Sequence, residues 1–78
     1  MLLDIVNVVA KDDYKLILTF ENNEVKEFDC KSILKDKPYN KITDINIFRQ
    51  VRIENGTIVW LNDVDIAPET LYLDSKAL

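Results

Sequence analysis

The spacing of apolar residues predicts two β-strands in the first third of the chain. Residues 3–10 are rich in β-branched residues, and both faces of the strand they predict are apolar, as in a strand covered on both sides. One face carries Leu3, Ile5 and Val9, and the other carries Val6, Val8 and Ala10. Residues 14–21 alternate, and the face expected in the core carries Tyr14, Leu16, Leu18 and Phe20.

The pair Asn22-Asn23 predicts a tight hairpin turn, because asparagine tolerates positive φ. Residues 24–29 then form the return strand. A two-residue turn places Ile17 opposite Phe28, on the face of the hairpin that should be polar. This register predicts a second apolar surface, covered by another copy or another protein, and its residues are Ile17, Phe28, Val6 and Val8.

The pair Asn55-Gly56 predicts a second hairpin, since Asn-Gly is a preferred sequence for a type I′ turn. Residues 50–54 and 57–61 are its strands. Its register directs four apolar residues to the core, namely Val51, Ile53, Ile58 and Trp60. Core packing is therefore the expected role of the tryptophan, although an exposed tryptophan would suit an interface.

Three short helices are predicted between and after the hairpins. The first covers residues 30–34 and is capped by Asp29. The second is capped by Thr43 or Asp44 and buries Ile45 and Phe48. The third covers residues 68–73 and begins with Pro68. The resulting order is β-β-β-α-α-β-β-α. We therefore expect a single α+β domain over residues 1–78, with a small antiparallel sheet of about five strands, two hairpins and short helices.

The composition limits how so short a chain can be stabilised. It has 78 residues, one cysteine and no histidine, so an internal disulfide is impossible and the commonest zinc ligand is missing. Association with another chain is the remaining source of extra stability. No apolar run approaches the roughly 20 residues that span a bilayer. The N-terminus lacks the features of a signal peptide, so we expect a cytoplasmic protein without membrane contact.

Candidate catalytic and metal-binding groups are weak. An acidic cluster follows the second hairpin, at Asn62, Asp63, Asp65 and Glu69, but it lacks the glycine and glutamate positions of a calcium loop. Cys30 has no histidine to activate it, and Asp12-Asp13 fits a solvated turn. The single glycine excludes a glycine-rich phosphate loop. We expect no enzyme activity, no cofactor and no bound metal.

The charge is unevenly distributed along the chain. The net charge is −4, yet residues 30–52 hold six bases and two acids between acidic flanks. A basic patch is expected at Lys31, Lys35, Lys37 and Lys41. It could contact phosphates, but Tyr39 and Phe48 are too few aromatic residues for a stacking platform. A solvated face that attracts acidic groups of another subunit or protein is the favoured interpretation, and direct nucleic-acid binding is not expected.

Three stretches of the chain resemble a bacterial family catalogued as domain of unknown function 2442. The most specific are FRQVRI at 48–53 with NGTIVW at 55–60, and DIAPETLY at 65–72. The strand at 14–20 leading into Phe28 and Asp29 fits as well. The chain departs from the family pattern in two turns, at 61–63, where proline, asparagine and glycine are usual, and at Asn22-Asn23, where Asn-Gly is usual.

The resemblance implies a compact α+β bacterial protein and no established activity. Family members sometimes continue into a helix-turn-helix domain, and many are encoded beside another small protein in the manner of toxin–antitoxin pairs. Because this sequence ends at Leu78, direct DNA binding is not expected. The favoured function is a non-enzymatic protein-interaction domain that forms a homo-oligomer or binds a small protein partner. The alternative is an antitoxin-like or regulatory accessory that acts with a partner on nucleic acid, and an enzyme comes third.

Overall fold

Seven short strands form two antiparallel sheets in the computed structural model, which describes residues 3–61 and 64–78. The first sheet has the order β1–β2–β3–β7 and the second the order β4–β5–β6. The strands are β1 Ile5–Ala10, β2 Lys15–Phe20, β3 Val25–Asp29, β4 Arg52–Glu54, β5 Thr57–Trp60, β6 Val64–Ile66 and β7 Lys76–Ala77. The α-helices are α1 Ile45–Phe48 and α2 Pro68–Asp74, and a 3₁₀ helix covers Tyr39–Ile42.

The α+β class is confirmed, but the strands are more numerous than the sequence predicts and lie in two sheets. β6 occupies part of a predicted loop and extends the second hairpin, with Trp60 opposite Val64. β7 adds a fourth strand beside β3. These strands have only three and two residues, so they are too short to produce a readable alternation in the sequence.

The second hairpin has the predicted turn and register. Asn55 and Gly56 both have positive φ, at 52° and 79°, as a type I′ turn requires. Ile53 pairs with Ile58. Trp60 is buried as expected, and its indole N–H donates to the Phe48 carbonyl at 2.9 Å.

The first hairpin turns differently from the prediction. Its loop has three residues, 21–23, because Asn23 takes the left-handed conformation at φ 70° and Phe20 N–H bonds to the Glu24 carbonyl at 2.9 Å. The predicted pairing of Ile17 with Phe28 is therefore wrong. Ile17 lies opposite Glu27, and Phe28 lies opposite Leu16 on the buried face.

A β-bulge in β1 changes which of its residues face the core. Ile5 pairs with Phe20 but Asn7 pairs with Thr19, so Val6 is the extra residue. Beyond the bulge, Val8 turns toward the core. The predicted apolar surface is thus corrected. Phe28 and Val8 belong to the inner side of the sheet, and only Ile17 and the exposed Val6 remain outside it.

The helices agree with the prediction in two cases of three. α1 begins after Asp44, whose carboxylate accepts from Asn46 N at 2.9 Å, and α2 begins with Pro68. The predicted helix at 30–34 is wrong, because this segment forms successive turns with bonds between residues three apart. Asp29 accepts only from the N–H of Lys31 there.

The core lies between the two sheets and is closed by the helices. Phe48 of α1 packs between Tyr14 and Trp60, with ring centroids 5.2 and 5.9 Å away. Tyr72 of α2 packs edge-on against Phe20 at 5.2 Å. Since these contacts are all to inward-facing residues, both helices lie on the inner side of the first sheet. No helix within residues 3–61 and 64–78 is long and apolar enough to cross a membrane.

Candidate functional site

The outer face of the first sheet carries exposed or half-buried apolar residues on three neighbouring strands. Val9 of β1 is 50% exposed and lies opposite the half-buried Ile17 of β2. Val25 of β3 is 39% exposed, and Val6 in the bulge is 57% exposed. We call these four residues the outer-face strip. It replaces the surface predicted from the sequence, sharing Val6 and Ile17 with it.

Charged residues of both signs border the outer-face strip. Lys11 reaches across β2 to Glu27, with Nζ 3.4 Å from Oε2, so their side chains partly cover Ile17. Lys15 lies 3.8 Å from the carboxylate of Asp13. The border is therefore close to neutral, in contrast to the whole chain, whose net charge is −4.

The basic patch predicted from the sequence remains in one exposed segment. The structure exposes all four lysines between β3 and α1. Three lie in the turns, Lys31, Lys35 and Lys37, and Lys41 lies in the 3₁₀ helix. Lys31 Nζ lies 4.0 Å from the Asp29 carboxylate, at the limit of an ion pair. The other bases of the middle segment are neutralised, since Arg49 pairs with Asp12 and Arg52 pairs with Glu54.

Cys30 lies in the core and its chemistry is suppressed. Its side chain is inaccessible, and its N–H donates to the Tyr14 carbonyl at 2.9 Å. Burial away from water, with a smaller contribution from the nearby charge of Asp29, raises the pKa of the thiol to about 12. A thiolate is the nucleophilic form, so this cysteine is inert at neutral pH.

The acidic cluster predicted after the second hairpin is only partly described. Asp65 and Glu69 are exposed, while Asn62 and Asp63 lie outside the described residues. Among the residues that are described, no three cysteine, aspartate or glutamate side chains come close enough to hold a metal ion.

A polar cluster that the sequence did not suggest ties α2 to the first hairpin. The Tyr72 hydroxyl donates to Glu24 at 2.8 Å, and the Asn22 amide donates to the same oxygen at 2.6 Å. Lys26 lies over the Tyr72 ring, 3.8 Å from its centroid. The tyrosine hydroxyl bond is the main cause that lowers the pKa of Glu24, and the same bond raises the pKa of Tyr72. Because 48 residues separate the bonded pair, no local pattern could have revealed it.

Comparison with known proteins identifies a family for the chain. The family model described as a protein of unknown function (DUF2442) matches residues 5–77, which confirms the resemblance drawn from the sequence motifs. No curated protein and no solved structure matches the chain.

Proposed function

We propose that the chain, which belongs to the DUF2442 family of proteins of unknown function, is a non-enzymatic protein-interaction domain. In this proposal the outer-face strip is the docking surface and a second copy of the chain is its first partner. The observation that carries the proposal is the exposed apolar strip of Val6, Val9, Ile17 and Val25 on an otherwise polar sheet face.

The position of the helices supports this docking surface. Tyr72 anchors α2 to Phe20, and Phe48 anchors α1 to Tyr14, so the helices cover the inner side of the first sheet. The outer side of an antiparallel sheet is ordinarily polar when water faces it. Apolar residues on three neighbouring strands are typical of an interaction surface instead.

The charges bordering the strip favour a second copy as the partner. Lys11 and Lys15 face Glu27 and Asp13 within the same surface, so two such surfaces can meet without a net like charge. A two-fold axis through the strip would bring Val9 and Ile17 of one copy against the same residues of the other. Association also supplies stability that this small core lacks.

The size of the strip limits the affinity that the dimer can reach. The whole outer face of three strands about 4.8 Å apart, with five residues each at about 3.3 Å, covers roughly 250 Å², and the strip is only part of it. A stable interface of standard size buries about 800 Å² on each partner. We therefore expect a weak dimer with a dissociation constant of about 100 µM, which corresponds to about 5.5 kcal/mol.

Sedimentation velocity between about 10 and 500 µM tests the proposal, because this range brackets the expected dissociation constant. The unaltered chain is expected to shift from monomer toward dimer. Val9→Lys and Ile17→Glu should each keep it monomeric, since each places a charge within the strip. Leu73→Lys is the matched control, because Leu73 is 71% exposed on α2 and lies outside the strip.

Two results would contradict the proposal. The first is an unaltered chain that remains monomeric over the whole concentration range. The second is a dimer that Leu73→Lys weakens as much as Val9→Lys does. Circular dichroism of each variant confirms that the fold is retained, so that a lost dimer is not confused with a lost fold.

A second candidate is an antitoxin-like accessory that acts with a partner on nucleic acid. The observation that favours it is the exposed basic segment, in which Lys35, Lys37 and Lys41 have no ion pair with any described residue. Such a segment would contact phosphates, and its binding would weaken steeply with salt. Fluorescence anisotropy with a labelled DNA duplex, with and without the product of the neighbouring gene, tests it. Binding that Lys35→Gln and Lys37→Gln do not reduce contradicts it.

A further inference from the structure

A cavity of about 320 Å³ opens at the edge of the core, away from the outer-face strip. Phe28 of β3 and Ile66 of β6 form its floor, and both are buried. Ile33 adds an apolar wall from the turns that follow β3. The volume is at the lower end of the roughly 300–1,000 Å³ of small-molecule sites, so it fits a small ligand or a single side chain.

Three hydroxyl groups that line the cavity have no hydrogen bond within the described chain. They belong to Ser32, Tyr39 and Thr70. Most other hydroxyls in the described residues do donate to the protein, at Tyr14, Thr43, Thr57, Tyr72 and Ser75. Ser32 and Thr70 are exposed and Tyr39 is half-buried, so the three hydroxyls are accessible to a ligand.

Two carboxylates complete the lining, and no basic side chain belongs to it. Asp29 uses one oxygen to accept from Lys31 N at 2.9 Å. Asp74 makes no hydrogen bond or ion pair with any residue that the structure describes. The other oxygen of Asp29 lies 4.0 Å from Lys31 Nζ, so Asp74 is the carboxylate of the rim that is available to a ligand.

The position of Asp74 is unfavourable for the helix that carries it. It is the last residue of α2, whose final turn has no basic residue. The helix dipole places partial negative charge at this end, so a carboxylate there is repelled. The Lys26 ammonium, which donates to the Tyr72 carbonyl at 2.9 Å, offsets part of this partial negative charge from outside the helix.

We propose that this cavity binds a primary amine on a short apolar stem. The stem would contact Phe28, Ile33 and Ile66, and the ammonium would donate to the carboxylate of Asp74 and to neighbouring hydroxyls. An ammonium group has three N–H donors and no acceptor, which matches a lining of carboxylate and hydroxyl oxygens. The shared chemistry is that of a free alkylamine and of a lysine side chain.

Titration of the ¹⁵N-labelled protein with n-butylammonium tests the proposal. We expect saturable shifts at residues 28–33, 39, 66 and 70–74. Neutral n-butanol and anionic butyrate should give much weaker shifts, because they lack the positive charge. Nα-acetyl-lysine-N-methylamide distinguishes the source of the amine, since only a site open to peptides accepts its backbone.

The variant Asp74→Asn should weaken butylammonium binding by roughly three- to fivefold. Glu69→Gln is the matched control, since it removes the same charge from the exposed first turn of α2, outside the cavity. It should leave binding within about twofold of the unaltered chain.

The proposal fails if butylammonium produces no saturable shifts at the cavity. It also fails if butanol or butyrate matches the amine, or if Glu69→Gln weakens binding as much as Asp74→Asn. Because the cavity is separate from the outer-face strip, a monomeric chain can still bind the amine. The outcome here is therefore independent of the dimer experiment.

Discussion

At the scale of single residues, the surroundings shift the pKa values of three side chains, Cys30, Glu24 and Tyr72, and two of these shifts have consequences for stability. Cys30 is held neutral by burial, which raises its pKa to about 12. Glu24 is held ionised by the Tyr72 hydroxyl, which lowers its pKa. Neither shift depends on a catalytic neighbour. The shift of Cys30 results from desolvation, and the shift of Glu24 results from a hydrogen bond that holds α2 against the first hairpin.

The buried thiol gives a prediction for alkaline pH. Unfolding exposes Cys30, whose pKa then returns to about 9, so the unfolded chain binds fewer protons than the folded chain between about pH 9 and 12. The thiol therefore makes stability fall as the pH rises through that range. Urea unfolding at pH 8 and pH 10.5 should show a smaller loss for Cys30→Ala than for the unaltered chain. Equal losses would mean that the thiol is not desolvated.

The hydrogen bond at Glu24 gives a prediction for acidic pH. A lowered folded-state pKa adds stability above the unfolded pKa, and this stability is lost as the pH falls through the folded-state pKa. Tyr72→Phe removes the main cause, so the pKa of Glu24 should rise toward its ordinary value. Carboxyl ¹³C shifts measured against pH report it directly. Tyr39→Phe is the control, and a pKa that moves equally in both variants would contradict the assignment.

At the scale of elements, the two hairpins show what sequence patterns can and cannot predict. Asn55-Gly56 fixes its turn because both residues readily take positive φ. Asn22-Asn23 allows either a two-residue or a three-residue loop, and only Asn23 takes positive φ. A difference of one loop residue changes the pairing of every residue in β3.

The first strand was ambiguous for a different physical reason. Both of its faces are apolar, so no alternation reveals the bulge at Val6. The error in the predicted interaction surface follows from the bulge and the loop together. The sequence could indicate that an apolar surface exists. Only the register shows that Val9 and Val25 lie on the outer face. It places Val8 and Phe28, which the sequence assigned to that surface, on the inner face.

The second hairpin gives a prediction for stability. Gly56→Val forces a β-branched residue to φ 79° and places its Cβ against the side chain of Asp4. We expect a loss of about 1–3 kcal/mol in the free energy of unfolding. Gly56→Asn should lose less, because asparagine adopts positive φ more readily. Urea unfolding of the unaltered chain and of the two variants measures both losses of stability. Equal stability of Gly56→Val and the unaltered chain would contradict the turn type.

At the scale of the whole molecule, the two helices and the second sheet enclose one side of the first sheet. The buried residues of both sheets form one core, in which Phe20, Phe28 and Trp60 are among the inward-facing aromatics. The opposite side of the first sheet retains Val9 and Val25 in contact with solvent. The fold therefore leaves the proposed docking surface on the sheet and the cavity at the edge of the core.

The most direct test of the docking surface is the concentration dependence of the ¹H–¹³C methyl spectrum between about 10 and 500 µM. We predict that the methyl signals of the outer-face strip shift together and fit one dimer dissociation constant; these are the signals of Val6, Val9, Ile17 and Val25. Signals of Leu73 and of the buried Leu16 and Leu18 should stay unchanged. Strip signals that do not move with concentration, or movement centred on Leu73, would contradict dimerisation through the outer-face strip.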